Sequence, residues 1–146
     1  MPGCNIFSQE HQMLLVHFFG NVTASDLELQ AVSVLSHPDF SESTKELISF
    51  AEVESFAPDV DMERLADIVN INKEHIEKFP DIKVAFIAPD ALSFNLARVY
   101  QETTEGHERK GEMKIFTTKQ EAVQWLGGKS SQWDMLLERV SKMCSL

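Results

Sequence analysis

Residues 82 to 88 read IKVAFIA. Val84, Phe86 and Ala88 alternate with Ala85 and Ile87, so an extended chain here shows apolar side chains to both sides. A strand without a polar face must be covered twice, as happens to interior strands of parallel sheets flanked by helices. The run passes through Ala88-Pro89-Asp90 straight into a helical pattern, and the carboxyl ends of strands are where ligand sites gather in open α/β sheets. At this corner Pro89 has no N–H to offer and Asp90 brings negative charge, so it reads as a helix start and not as a phosphate cradle.

The rest of the chain supplies neighbours for that strand. Residues 5 to 9 and 13 to 19 read as a hairpin, with Gly20-Asn21 ending its second strand. Ser25-Asp-Leu-Glu28 reads as a capping box opening a helix to about Ser36, which His37-Pro38 ends. ELISFAEV, residues 46 to 53, is the third strand, and a loop follows over 54 to 60. One helix is expected from Asp61 to about Lys78 and another from Pro89-Asp90 to about Thr103. After the polar stretch ETTEGHERKGE comes the strand MKIFT from Met113. Thr118-Lys-Gln-Glu121 caps a short helix ending at Gly127-Gly128, and Ser131-Gln-Trp-Asp134 caps a last one. The order ββαβαβαβα plus one helix argues for a mainly parallel sheet.

Helical spacing then assigns faces. In residues 25 to 36 the core side holds Leu27, Ala31, Val34 and Leu35, leaving Leu29 and Val32 outside. In the helix from Asp90 the expected core arc is Leu92, Leu96, Val99 and Tyr100. Phe94, Arg98 and Gln101 fall on the outer face, where Arg98 is placed to stack on Phe94. The last helix carries Trp133, Leu136, Leu137, Val140, Met143 and Cys144 on one stripe, which has to be buried on its own domain or on a partner subunit.

Composition limits function. A chain of 146 residues is one domain with room for a full core. With Lys+Arg 13 against Asp+Glu 23, the net charge of −10 repels nucleic-acid phosphates and anionic lipid surfaces. No run is long and apolar enough for membrane insertion. The N-terminus lacks the basic start and apolar core of a signal peptide, so the expected compartment is the cytoplasm. Cys4 and Cys144, far apart and without metal-type spacing, are accordingly expected as two free thiols.

No catalytic, cofactor or metal residue emerges. His11, His17, His37, His75 and His107 are scattered without ligand spacing, and His17 within its apolar strand reads as a core histidine. There is no nucleophile elbow, and Ser93 lies in a helix body. The carboxylates of Asp26, Glu28, Asp61, Glu63, Asp90 and Glu121 sit in first helical turns, where capping and the helix dipole account for them.

The stretches NVTASDLE, HPDF, VAFIAPDALSFNLARVYQ and KIFTTKQEAVQWL, in this order of elements, resemble the SpoIIAA-like family of small bacterial proteins, which share the fold of STAS domains and anti-sigma-factor antagonists. The resemblance covers about residues 5 to 127. It implies a five-stranded mixed sheet with helices mainly on one face. Antagonists carry an Asp-Ser pair after the third strand, with the Ser phosphorylated at a helix N-terminus. The matching stretch here is EVESFAPDVDMERL, where Ser55 is the only hydroxyl and no Asp precedes it. Asp59, Asp61 and Glu63 would repel a phosphate there, so no phosphorylation site is supported.

The expectation is a SpoIIAA-like domain over residues 1 to 128 followed by an amphipathic helix over 129 to 146. It is expected to be a non-enzymatic interaction or regulatory module that self-associates as a homodimer or binds another protein. Leu29, Val32, Phe94, Arg98, Trp133, Leu137 and Val140 are its candidate contacts. The alternative, which the looser resemblance to the Sec14-type lipid-transfer fold implies, is a carrier or sensor of a small apolar ligand such as a lipid.

Overall fold

Five strands lie side by side in chain order: β1 (Gly3–Ser8), β2 (Met13–Val22), β3 (Lys45–Phe56), β4 (Lys83–Ile87) and β5 (Met113–Phe116). β1 runs antiparallel to β2, and β2 to β5 are parallel, so the sheet is mixed. The computed structural model describes residues 2 to 38, 40, 41, 43 to 79, 81 to 105 and 112 to 144. Its helices are α1 (Ala24–Leu35), α2 (Met62–Ile71), α3 (Lys73–Lys78), α4 (Ala91–Glu105), α5 (Lys119–Leu126) and α6 (Ser130–Cys144).

Successive right-handed crossovers that all step in one direction place their helices on one face. α1, α2 and α4 accordingly pack on Leu14, Val16, Phe18, Phe50, Val84, Phe86 and Ala88. Past β5 the sheet has no further strand to add, and α5 and α6 return across the other face, onto Met13, Leu15, Leu47, Ala85 and Ile87. β4 is buried on both faces, as its two apolar sets require.

Several boundaries differ from the sequence reading for local reasons. Gly20, at φ 65°, does not end β2; its left-handed backbone makes a bulge, and the strand continues to Val22 with shifted register against β3. β3 lengthens with it, to Phe56. The capping box of α1 is formed by Thr23 and Asp26, two residues before the one expected. The helix expected over residues 61 to 78 divides at Asn72 into α2 and α3, and at this point the Asn72 side chain bonds the Tyr100 hydroxyl of α4. The Thr118–Glu121 cap of α5 forms as read. α6 starts at Ser130, so Ser131 is not its cap; Gln132 Oε1 instead accepts from the Lys129 N–H at 3.4 Å.

The α5–α6 turn depends on glycine. Gly128 has φ 84°, and a Cβ there would come within 2.6 Å of Met13 Cε. This close approach seats Trp133 fully buried, its indole N–H donating to the Gly127 carbonyl at 3.2 Å. At the far end of α6, Cys144 is joined to Cys4 of β1 by a disulfide with Cα atoms 6.3 Å apart. The two free thiols expected from sequence are therefore corrected: the fold brings together residues 140 apart in the chain.

Candidate functional site

Because side chains alternate along a strand, Phe18 of β2, Phe50 of β3 and Phe86 of β4 fall on the same face of the sheet. Their rings form a row, with centroids 5.5 Å apart between Phe18 and Phe50 and 5.9 Å between Phe50 and Phe86. Tyr100 of α4 ends the row edge-on to Phe86, at 5.9 Å. Above this floor α1, α2 and α4 contribute Leu27, Ala31, Leu65, Ile68, Leu96 and Ala97. Where helix positions over a broad aromatic floor are alanine, the layer does not close, and a cavity of about 100 Å³ remains. Protein interiors rarely keep voids larger than a water molecule.

Its walls are apolar apart from Gln30, Glu46, Asn72 and Tyr100 among the described lining residues. Gln30 is buried and its Oε1 accepts from Asn5 Nδ2 at 2.7 Å, which ties α1 to β1. Asn72 Nδ2 donates to the Tyr100 hydroxyl at 2.9 Å. Glu46 lies near the start of β3, paired in register with Val84 near the start of β4. The polar end of the cavity is thus at the amino ends of the parallel strands, opposite the Ala-Pro-Asp corner. That corner is filled by its own cap: Asp90 Oδ1 accepts from the Ser93 N–H at 2.8 Å and from the Ser93 hydroxyl at 3.0 Å.

The residues proposed as a contact surface are dispersed. Leu29 and Val32 stand outside α1, 52% and 53% exposed. Leu35, expected in the core, is exposed. α4 is turned from the expected wheel: small Ser93 and Ala97 face inward, Leu92 is exposed, and Phe94 is half-buried against the core. Small side chains let a helix backbone approach the sheet, so Ser93 and Ala97 are buried deepest, while Leu96, Val99 and Tyr100 of the expected arc pack half-buried on the core and Leu92 is the member that does not. Arg98 is exposed and pairs with Glu102 at 3.2 Å, not with the Phe94 ring. Trp133 and Val140 are fully buried against the chain's own sheet, and Leu137 is half-buried beside them, so the last helix turns most of its stripe inward, while Met143, expected on that stripe, is exposed.

Ser55 lies inside β3, where its hydroxyl donates to Asn21 Oδ1, and so does not sit at a helix N-terminus. His17 is buried, with Nε2 3.0 Å from Glu52 Oε2 and Nδ1 without a partner among the described residues. His11 meets Gln132 and His37 meets Asn5. The side chain of His75 and all of His107 lie outside the described residues. Among the described residues no group of three His, Cys, Asp or Glu is placed to hold a metal ion, and no helix is long and apolar enough to cross a membrane.

Sequence reading missed the cavity because empty space has no residue of its own. The one local signal was Asn72, a weak helix former in the middle of an expected helix.

No family model matches the chain, and no curated protein matches it. Among solved structures it is similar to an uncharacterised protein of the DUF3478 family with a SpoIIAA-like fold, from Shewanella loihica PV-4. The two are 23% identical over 86% of this chain and 92% of that one, with a TM-score of 0.53. It also matches the anti-sigma factor antagonist SpoIIAA in its unphosphorylated form, at 10% identity over 87% of this chain and 99% of that one, with a TM-score of 0.49. The chain has the SpoIIAA-like fold.

Proposed function

We propose that the protein binds one small apolar molecule between its sheet and the α1, α2 and α4 layer, and serves as a non-enzymatic sensor or carrier of it. The cavity of about 100 Å³ carries this reading. It is partly open to solvent and its lining is mostly apolar, so it leaves apolar surface against water that an apolar ligand would cover. Cavities of about 150 Å³ accept a molecule the size of benzene, and this one is smaller but partly open, so the occupant is a short alkyl chain or at most a single ring and not a whole lipid. Asn72 and Tyr100 supply the few oriented polar groups that such pockets use for selection.

The self-associating module draws its support from Leu29 and Val32, whose exposed side chains adjoin on α1. With Trp133 and Val140 enclosed, that support is narrower than the sequence suggested.

Native mass spectrometry of gently purified protein, followed by thermal shift with benzene, toluene, indole and short-chain alcohols, tests the ligand reading. A retained small molecule, or a melting temperature that rises with concentration by mass action, is expected. Empty chains with no shift across the panel would overturn it.

A further inference from the structure

We propose that the Cys4–Cys144 bond is a thiol-operated latch on α6. It joins the edge strand β1 to the last described residue of the last helix, so it closes the fold end to end. The two sulfurs are not equivalent. Cys4 is 8% exposed, beneath α6, while Cys144 is half-buried at the helix end. Which sulfur of a disulfide is attacked depends on access, so an incoming small thiolate attacks Cys144 Sγ.

The S–S bond then breaks, and its electron pair leaves with Cys4 as thiolate, which takes up, through solvent, the proton that the incoming thiol lost on ionising. Cys144 carries the mixed disulfide. A second thiolate attacks the small-molecule sulfur of that mixed disulfide, releasing Cys144 as thiolate and the small thiol as its own disulfide. Two thiols are oxidised for one protein disulfide reduced.

The buried product has a place to put its proton. His17 is paired directly across from Cys4 on the β1–β2 ladder, so the two side chains share a face with Cβ atoms roughly 4.5 to 5.5 Å apart. With Glu52 held by Nε2–H, His17 Nδ1 is left as an acceptor without a partner among the described residues. The Cys4 sulfur lies 3.7 Å from the Val140 carbonyl oxygen, and a freed Cys4 thiol that turns from it toward His17 is the donor Nδ1 lacks, so opening the latch satisfies a group that the closed form leaves unpaired. His17 is a positioning residue for the open state. Opening also frees the C-terminal half of α6 from β1, while Trp133 stays held by the Gly127–Gly128 turn.

Hydrogen exchange with and without reduced glutathione tests the latch, using the full chain. Expected are no alkylatable thiols before reduction and two after. Glutathione should be trapped on Cys144 and not Cys4, and exchange should be at least tenfold faster over residues 138 to 144, with β2, β3 and β4 unchanged. Cys144→Ser should reproduce that exchange pattern without reductant. His17→Phe should shift the glutathione equilibrium several-fold toward the disulfide. Two free thiols in protein purified without reductant, an adduct on Cys4, global unfolding on reduction or unchanged exchange in α6 would each overturn the proposal. An equilibrium that His17→Phe leaves in place removes His17 from it.

Discussion

Asn72 and Tyr100 meet across the cavity's polar end, the amide of one donating to the hydroxyl of the other at 2.9 Å. The contact joins two features: it sits where the expected helix divides into α2 and α3, and it reaches the Tyr100 ring that stands edge-on to Phe86. Local structure, packing and the site share this one bond.

Tyr100→Phe keeps the ring and removes the acceptor. The expected loss is about 1 kcal/mol of stability, rising toward 2 to 3 if the Asn72 amide stays unsatisfied, read from urea denaturation. Affinity for a hydroxylated probe should fall while affinity for benzene is retained. Equal loss for both probes would show that the pair shapes the cavity and does not select its ligand.

Ala97→Leu adds three carbons at a buried position on the cavity wall. Where space exists, the variant should match or exceed the parent in melting temperature and lose ligand-induced stabilisation. A destabilisation of about 1 to 3 kcal/mol, the usual result of overpacking a full core, would mean the space is not there.

Phe86→Ala removes the ring at the centre of the aromatic row, at a residue 2% exposed. Its cost should be about 3 to 5 kcal/mol. A loss under roughly 1 kcal/mol, typical of surface positions, would take Phe86 out of the core.

Trp133→Ala and Leu29→Asp separate internal packing from surface. Trp133→Ala should cost about 3 to 5 kcal/mol, and Leu29→Asp should stay within about 0.5 kcal/mol. Sedimentation of the parent and Leu29→Asp over a concentration series reads association separately. A dimer in the parent that Leu29→Asp weakens supports the self-association reading, and a monomeric parent at high micromolar concentration ends it. Phe94→Asp would disturb packing as well as surface, since Phe94 packs on the core.

The order of elements, the doubly covered strand, read over residues 82 to 88 and formed over Lys83–Ile87, and the capped start of α4 were legible in the sequence, because alternation, helical period and caps act over a few residues. The faces of Leu29 and Val32 followed from the same period. Other features were decided only by tertiary structure. Which arc of α4 turns inward depended on how near its backbone comes to the sheet, and that favoured Ser93 and Ala97 over Leu92. The stripe from Trp133 to Val140 announced that it would be buried, but only the return of α6 across the free face of the sheet says against what. Cys4 and Cys144 became partners because that return ends at the edge strand. The cavity is what remains when three helices of fixed side-chain size are laid over Phe18, Phe50 and Phe86, a mismatch between surfaces far apart in the chain that no local pattern encodes.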